Sequence, residues 1–314
     1  MTSVKKYLSL VKFSHTIFAM PFAIIGFMLG WQVVSGPFSV IPGWHIEVIP
    51  PQHPYFDQAQ VPNNLTELLI RLGLVVLCMV FARSAAMAFN RYLDRQFDKK
   101  NPRTAIREIP AGILKADHVL WFTIINSLLF MACTWFINSI CFFLSPVALL
   151  VVLGYSFTKR FTPLCHLILG VGLSLAPIGA YLAVTGAFAL LPVLFSFAVV
   201  FWVSGFDIIY ALQDEEFDRA NKLYSIPAWL GKAKALRVSE VLHLFSASFV
   251  VAAGFLGDFG WLYWVGVLIF GGMLIYQHSI VKPNDLRRVN LAFMTANGIA
   301  SVVFAVFVIA DMYL

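Results

Sequence analysis

Charge is scarce in this sequence. Asp, Glu, Lys and Arg make up 12% of its 314 residues, against roughly a quarter in soluble domains. No stretch is polar enough and long enough to form a water-soluble domain, so such a domain is excluded. Cysteine is also sparse: Cys78, Cys133, Cys141 and Cys165 sit in apolar runs without metal-ligand spacing. A disulfide framework or zinc site is therefore not expected, and the thiols are predicted to be buried and unpaired. The net charge of +6 falls in short clusters between apolar runs, which argues against a nucleic-acid partner. A cleavable leader is not expected either. Lys5 and Lys6 precede an apolar stretch from Ile17, but that stretch continues to Val34 without a small-x-small cleavage pattern, as a retained first helix would.

What is abundant is apolar surface, at 60% of residues. Lipid has to be the solvent for most of the chain. Runs of spanning length fall at residues 14–34, 65–90, 118–138, 141–157, 164–184, 190–213, 236–256, 261–279 and 289–312, which predicts an all-α integral membrane protein of about nine transmembrane helices. Pro21 and Pro177 lie inside these runs and are expected to kink them. Lysines and arginines cluster on alternate connections: Lys5 to Lys12, Arg91 to Lys115, Lys159–Arg160, Arg219 to Arg237, and Lys282 to Arg288. The opposite connections carry only Arg71, so the N-terminus is expected inside. The longest external loop is 35–64, with Trp44, Pro50, Pro51, Pro54 and Tyr55, and its purpose is not legible.

The two long cytoplasmic connections resemble each other. Asp94-Arg-Gln-Phe-Asp98-Lys-Lys-Asn101 matches Asp214-Glu-Glu-Phe-Asp218-Arg-Ala-Asn221, and Ile109-Pro-Ala-Gly112 is followed downstream by its counterpart Ile226-Pro-Ala-Trp229. The chain reads as one membrane domain over 1–314, a two-halved bundle with cytoplasmic helical-loop caps. The first half covers about 1–157 with its acidic motif at 90–98, and the second about 164–314 with its motif at 207–218. A binding site between the halves is expected.

Each motif continues a transmembrane helix past its cytoplasmic end. Spacing of four places Asn90, Asp94 and Asp98 on one helix stripe, and Asp214 with Asp218 likewise. An acid at the centre of a spanning helix costs roughly 2.5–3.5 kcal/mol, and stacked like charges add repulsion. Four carboxylates facing one cavity require a cation. Oxygen-only ligands suit Mg²⁺, which bridges to substrate phosphates, with neighbouring Lys and Arg holding phosphate oxygens. A lone D-x-x-x-D is more often a solvated loop; two copies at matching helix ends are not.

Taken together, N-x-x-x-D-x-x-x-D and D-x-x-Y-A-x-x-D-x-x-x-D resemble the motifs of the UbiA superfamily of intramembrane prenyltransferases, over nearly the whole chain. Arg83, Asn101-Pro-Arg-Thr104, Arg107-x-Ile-Pro-x-Gly112 and Tyr155-x-x-x-Lys159-Arg160-x-Thr162 match its further positions. Lys12-Phe-Ser-His15-Thr-x-Phe-Ala-x-Pro21-Phe is similar to a bacterial 4-hydroxybenzoate polyprenyltransferase-like branch, some of whose members resemble enzymes of menaquinone synthesis. The long 35–64 loop departs from the pattern.

The resemblance implies transfer of a polyprenyl group from its diphosphate to an aromatic hydroxy acid in quinone biosynthesis, at the cytoplasmic face of a bacterial inner membrane. Either 4-hydroxybenzoate or 1,4-dihydroxy-6-naphthoate would serve as acceptor. Mg²⁺ would be held by Asn90, Asp94, Asp98, Asp214 and Asp218, and would neutralise the departing diphosphate. Lys159 and Arg160 would stabilise the same charge. Asp207 would orient the phenol or take a proton; a third metal ligand or a packing residue is its alternative. Arg83 suits the acceptor's carboxylate, with structural pairing to Asp207 as its alternative. Arg91, Tyr155, Tyr210 and Lys12 are further expected substrate contacts. Haem, chlorophyllide or a glycerol phosphate are rival acceptors within the superfamily. A cation transporter is the rival of another class, although transport sites sit near the midplane and these acids cluster at one edge.

Overall fold

Backbone surrounded by hydrocarbon has to satisfy its own hydrogen bonds, and helices do so within each segment. The computed structural model describes residues 3–11, 18–35, 62 and 64–314. Its helices are α1 (Ser3–Val11), α2 (Met20–Ser35), α3 (Leu65–Lys100), α4 (Ala116–Ile137), α5 (Ser139–Thr158), α6 (Cys165–Thr185) and α7 (Leu190–Ala211). They continue with α8 (Glu215–Ala220), α9 (Ile226–Leu230), α10 (Lys232–Leu256), α11 (Trp261–Ile280) and α12 (Asn297–Tyr313). No strand occurs among the described residues. Among the described residues, eight helical segments are long and apolar enough to cross a membrane, α7 running on through α8 and α12 including the turn before it. Helix α2 is apolar but 16 residues long, about 24 Å against a hydrocarbon core of about 30 Å.

Caps set the helix ends. Asn64 Oδ1 accepts from Glu67 N at 2.9 Å to start α3. Asn138 alone separates α4 from α5: its N–H bonds back to Thr134 O while its side chain accepts from Cys141 N. Its amide also donates to Leu182 O at 2.8 Å, which ties this hairpin to α6. Gly186, at φ 67, ends α6 in the left-handed conformation that glycine tolerates.

Two sequence expectations are corrected here. Pro21 is the second residue of α2, within the first helical turn where proline interrupts no bond. Pro146 and Pro177 are the prolines inside helices α5 and α6. All four cysteines are free, but only Cys78 is buried. The 35–64 loop lies outside the described residues apart from its ends.

Helix α7 sits innermost, with Trp202, Phe195 and Val199 fully buried among Phe22 of α2 and Phe304 of α12. The outer faces keep Trp135, Phe143, Leu150 and Leu268 exposed, a surface that suits lipid. Helices α2 and α6 approach closely: a Cβ placed on Gly26 would lie 2.0 Å from Pro177 O. The Gly26-x-x-x-Gly30 spacing thus marks backbone contact of the kind small residues allow. Gly26→Ala should destabilise the detergent-solubilised protein by about 1–3 kcal/mol in thermal unfolding, through overpacking. Gly73→Ala, where a Cβ meets nothing within 4 Å, should not; equal effects would contradict the close contact.

Candidate active site

Helix α3 runs unbroken from Leu65 to Lys100, so Asn90, Asp94 and Asp98 occupy one helix stripe. The second motif is built differently. After Ala211 the chain tightens into a 3₁₀ turn over Leu212–Asp214 before α8 begins, so Asp214 and Asp218 straddle a break in the helix. The ends of the two motifs nonetheless correspond. Asn101 caps α3 with its N–H on Phe97 O, and Asn221 caps α8 with its N–H on Phe217 O. Beyond them the repeat diverges: Ile226-Pro-Ala forms helix α9, while Ile109-Pro-Ala forms turns ending at Gly112.

Asp94, Asp98, Asp214 and Asp218 are each matched to a cation. Arg160 Nη2 meets Asp94 Oδ1 at 2.8 Å, Arg107 Nη1 meets Asp98 Oδ1 at 2.6 Å, and Lys159 Nζ meets Asp218 Oδ1 at 2.8 Å. Arg103 grips Asp214 with two nitrogens, Nε at 2.9 Å from Oδ1 and Nη2 on Oδ2. The pairing crosses between the motifs. Arg103 follows the first motif and binds the second, while adjacent Lys159 and Arg160 reach one motif each. Burial works against the Lys159 ammonium, yet Asp218 outweighs it and raises the lysine pKa above its ordinary value. Arg103 is raised in the same way, burial being overcome by its bonds to Asp214.

These groups line a cavity of about 270 Å³. Of the residues expected at the site, it brings together Arg83, Asn90, Arg91, Asp94, Asp98, Tyr155, Lys159, Asp207, Tyr210, Asp214 and Asp218. Arg160 is not in the wall; besides Asp94 it donates to Leu93 O and Ser156 O, strapping α3 to the end of α5. Lys12 lies outside the described residues. Arg83 and Arg91 each bury an Nε without a hydrogen-bond partner, and neither forms a salt bridge among the described residues. A guanidinium left so in a low-dielectric wall calls for an anion. The alternative pairing of Arg83 with Asp207 is not formed; Asp207 Oδ2 lies 2.7 Å from His166 Nδ1 instead.

The wall also holds residues to which the sequence analysis gave no role: Arg103, Arg107, His166, Phe18, Phe206 and Phe293. Arg103 and Arg107 carried a signal, their place in the loop motif after α3. Phe293 did not, since its position depends on a π-helical turn over Leu291–Ala296. Asn297 Nδ2 donates to Ala292 O and Phe293 O there, supplying the carbonyls of the widened turn. Phe293 then packs on Tyr210 at 4.4 Å, Phe206 at 5.4 Å and Phe18 at 5.4 Å between ring centroids.

The donor set fits a hard divalent cation. Asn90, Asp94, Asp98, Asp214 and Asp218 offer only oxygen, and Asp98 Oδ2 is buried without a hydrogen-bond partner. Among the described residues no three acids or other ligating groups converge as a ready chelate; the arginines and lysine occupy them instead.

A second cavity, of about 450 Å³, lies between α3, α5 and α6 and is almost wholly apolar. It shares Arg83, Met87, Tyr155, Leu169 and Leu173 with the polar one, so the two abut along that line of residues.

The model of the UbiA prenyltransferase family matches residues 60–299. The chain belongs to the UbiA prenyltransferase family. It is 30% identical over 251 residues to a 4-hydroxybenzoate octaprenyltransferase from Tolumonas auensis, covering 80% of this chain and 86% of the relative. Its fold is similar to that of a UbiA homologue from Aeropyrum pernix K1 without ligand, with TM-score 0.73, 27% identity and coverage of 95% and 96%. A UbiA homologue from Archaeoglobus fulgidus bound to GPP and Mg²⁺ shares the fold at TM-score 0.65 and 19% identity, covering 98% of this chain and 100% of that one. As a UbiA-family member the chain is a multi-pass membrane enzyme of the prenyltransferase class.

Within this UbiA site the Asp218 side chain is 0% exposed, so losing its cation leaves a buried charge. Lys159→Met should lower stability by about 3–5 kcal/mol in denaturant unfolding, and Lys159→Met with Asp218→Leu should recover most of it. A single variant as stable as the parent would contradict the pairing.

Proposed function

We propose that this UbiA-family enzyme transfers a polyprenyl group from its diphosphate to an aromatic hydroxy acid, with 4-hydroxybenzoate as the acceptor that its relatives' names favour. The observation that carries this reading is the pair of abutting cavities. A polyprenyl diphosphate is a multiply charged anionic head on a long hydrocarbon tail. The polar cavity, ringed by cations, suits the head, and the apolar cavity beside it suits the tail. Their shared wall of Arg83, Met87, Tyr155, Leu169 and Leu173 would then bracket the carbon at which the bond changes.

On this reading Lys159, Arg103 and Arg107 exchange their carboxylate partners for phosphate oxygens, stabilising charge as the diphosphate departs. Arg160 acts through Asp94, which it holds in place. A divalent cation, Mg²⁺ by the oxygen-only donor set, would be held by Asn90, Asp94, Asp98, Asp214 and Asp218 and would supply charge neutralisation at the leaving group. Arg83 presents a planar fork to the acceptor's carboxylate, with Tyr155 beside it and Arg91 about two turns further along α3. Tyr210, Phe293, Phe206 and Phe18 turn aromatic faces and edges toward the cavity, where positive charge on the allylic carbon would be stabilised. The C–O bond to diphosphate breaks, a C–C bond forms ortho to the hydroxyl, and the displaced ring proton leaves toward Asp207. The basic connections support a cytoplasmic position for this end of the bundle, and the bacterial sources of its relatives support an inner membrane.

The test is an assay in membranes with Mg²⁺, a labelled polyprenyl diphosphate and either 4-hydroxybenzoate or 1,4-dihydroxy-6-naphthoate. One prenylated acid is expected, with product lost on chelation and reduced about 100-fold or more in Asp94→Ala. Product from the naphthoate alone would move the enzyme to menaquinone synthesis. Product from neither acid, with the diphosphate still bound, would overturn the aromatic-acid reading.

A further inference from the structure

His166 is a buried imidazole at the start of α6, 2% exposed, on the wall of the polar cavity. A polar ring so placed needs partners for both nitrogens, and it has them. Nδ1 lies 2.7 Å from Asp207 Oδ2. Nε2 accepts from the backbone N–H of Ile226 at 3.3 Å. The second bond decides the first. A backbone N–H is only ever a donor, so Nε2 has to present its lone pair. The proton of the neutral ring then sits on Nδ1 and is donated to Asp207.

We propose that His166 is the positioning residue for Asp207 in prenyl transfer. It holds one carboxylate oxygen by a donated hydrogen bond and so aims the other at the acceptor. The Ile226 N–H that sets the tautomer opens α9, whose cap Ser225 donates to Asp218 Oδ2 at 2.9 Å and accepts from Ala228 N at 3.2 Å. The aim of Asp207 therefore depends on the second cytoplasmic connection lying folded against α6. Backbone reinforces that placement, since Tyr224 N donates to Lys159 O at 2.7 Å.

The proposal rests on the reading that Asp207 faces the aromatic acceptor, and two measurements separate the two. The first needs no acceptor. In the ¹⁵N NMR spectrum of the full-length protein in bilayers, the imidazole signals that vanish in His166→Gln should show a protonated Nδ1 and an unprotonated Nε2. A proton on Nε2 would overturn the pairing whatever the acceptor is.

The second is a double-mutant cycle on turnover. His166→Leu should lower kcat about 100-fold, the loss expected when a reacting group is misplaced by about 1 Å. KM for the prenyl diphosphate should stay within about twofold, since uniform substrate binding is untouched. Gln carries both a donor and an acceptor, so His166→Gln should recover to within about tenfold of the parent. Combined with Asp207→Asn, His166→Leu should cost nothing further, because both act through one group. Multiplying losses, or a loss confined to diphosphate KM, would show that His166 serves packing alone and would overturn the proposal. If the parent enzyme prenylates neither acid, the functional reading fails, and the nitrogen resonances still decide whether His166 holds Asp207.

Discussion

Charge balance at the edge of a low-dielectric bundle is the constraint on which the rest of this structure depends. Four carboxylates sit where water is thin, and none could remain ionised there alone. Their partners come from two separate connections, after α3 and after α5, so satisfying the acids also assembles the site. Arg103 draws the loop after α3 across to Asp214, and Lys159 draws the end of α5 to Asp218. Arg160, next in sequence, turns back to Asp94. One dipeptide thus ties both motifs together, and the turn that carries it is fixed by the same charges it neutralises.

A set of matched ion pairs also stands ready for substrate. On the proposed reading, a diphosphate would bring anionic oxygens for the arginines and lysine, and a divalent cation would take the carboxylates they release. Such an exchange would keep the cavity close to neutral throughout, avoiding the several kcal/mol attached to each uncompensated buried ion. Arg83 and Arg91 stand outside this balance, with no salt bridge among the described residues and a buried Nε each. Arg83 alone of the two also borders the apolar cavity, which is why an acidic acceptor is proposed at that end.

The acidic motifs, their placement at helix ends and most of the polar residues in the cavity wall were legible in the sequence, because costly charges in apolar helices stand out by spacing alone. Helix boundaries were legible too, to within a few residues for α4 to α7, since hydropathy sets them. The rest depended on geometry that no local pattern encodes. His166 is a lone histidine beside an apolar run, and its meaning comes from Asp207 and Ile226, both distant in sequence. Which cation meets which acid was not readable, and Arg160 lies behind the wall where a basic pair looked equivalent. The 3₁₀ turn before Asp214 and the π-helical turn under Phe293 are departures from periodicity that periodicity cannot announce. Pro21 was misplaced because α2 starts at Met20, later than its apolar run.

The central claim is that diphosphate and divalent cation are taken up together, each freeing the groups the other needs. The most direct test is the binding of a non-reactive prenyl thiodiphosphate to the purified protein across a range of free Mg²⁺, corrected for the complex the two form in solution. The account predicts that Mg²⁺ strengthens diphosphate binding at least about tenfold, that the diphosphate strengthens Mg²⁺ binding by the same factor, and that Asp218→Asn weakens this coupling. Diphosphate affinity indifferent to Mg²⁺, or Mg²⁺ bound as tightly by the protein alone, would contradict it.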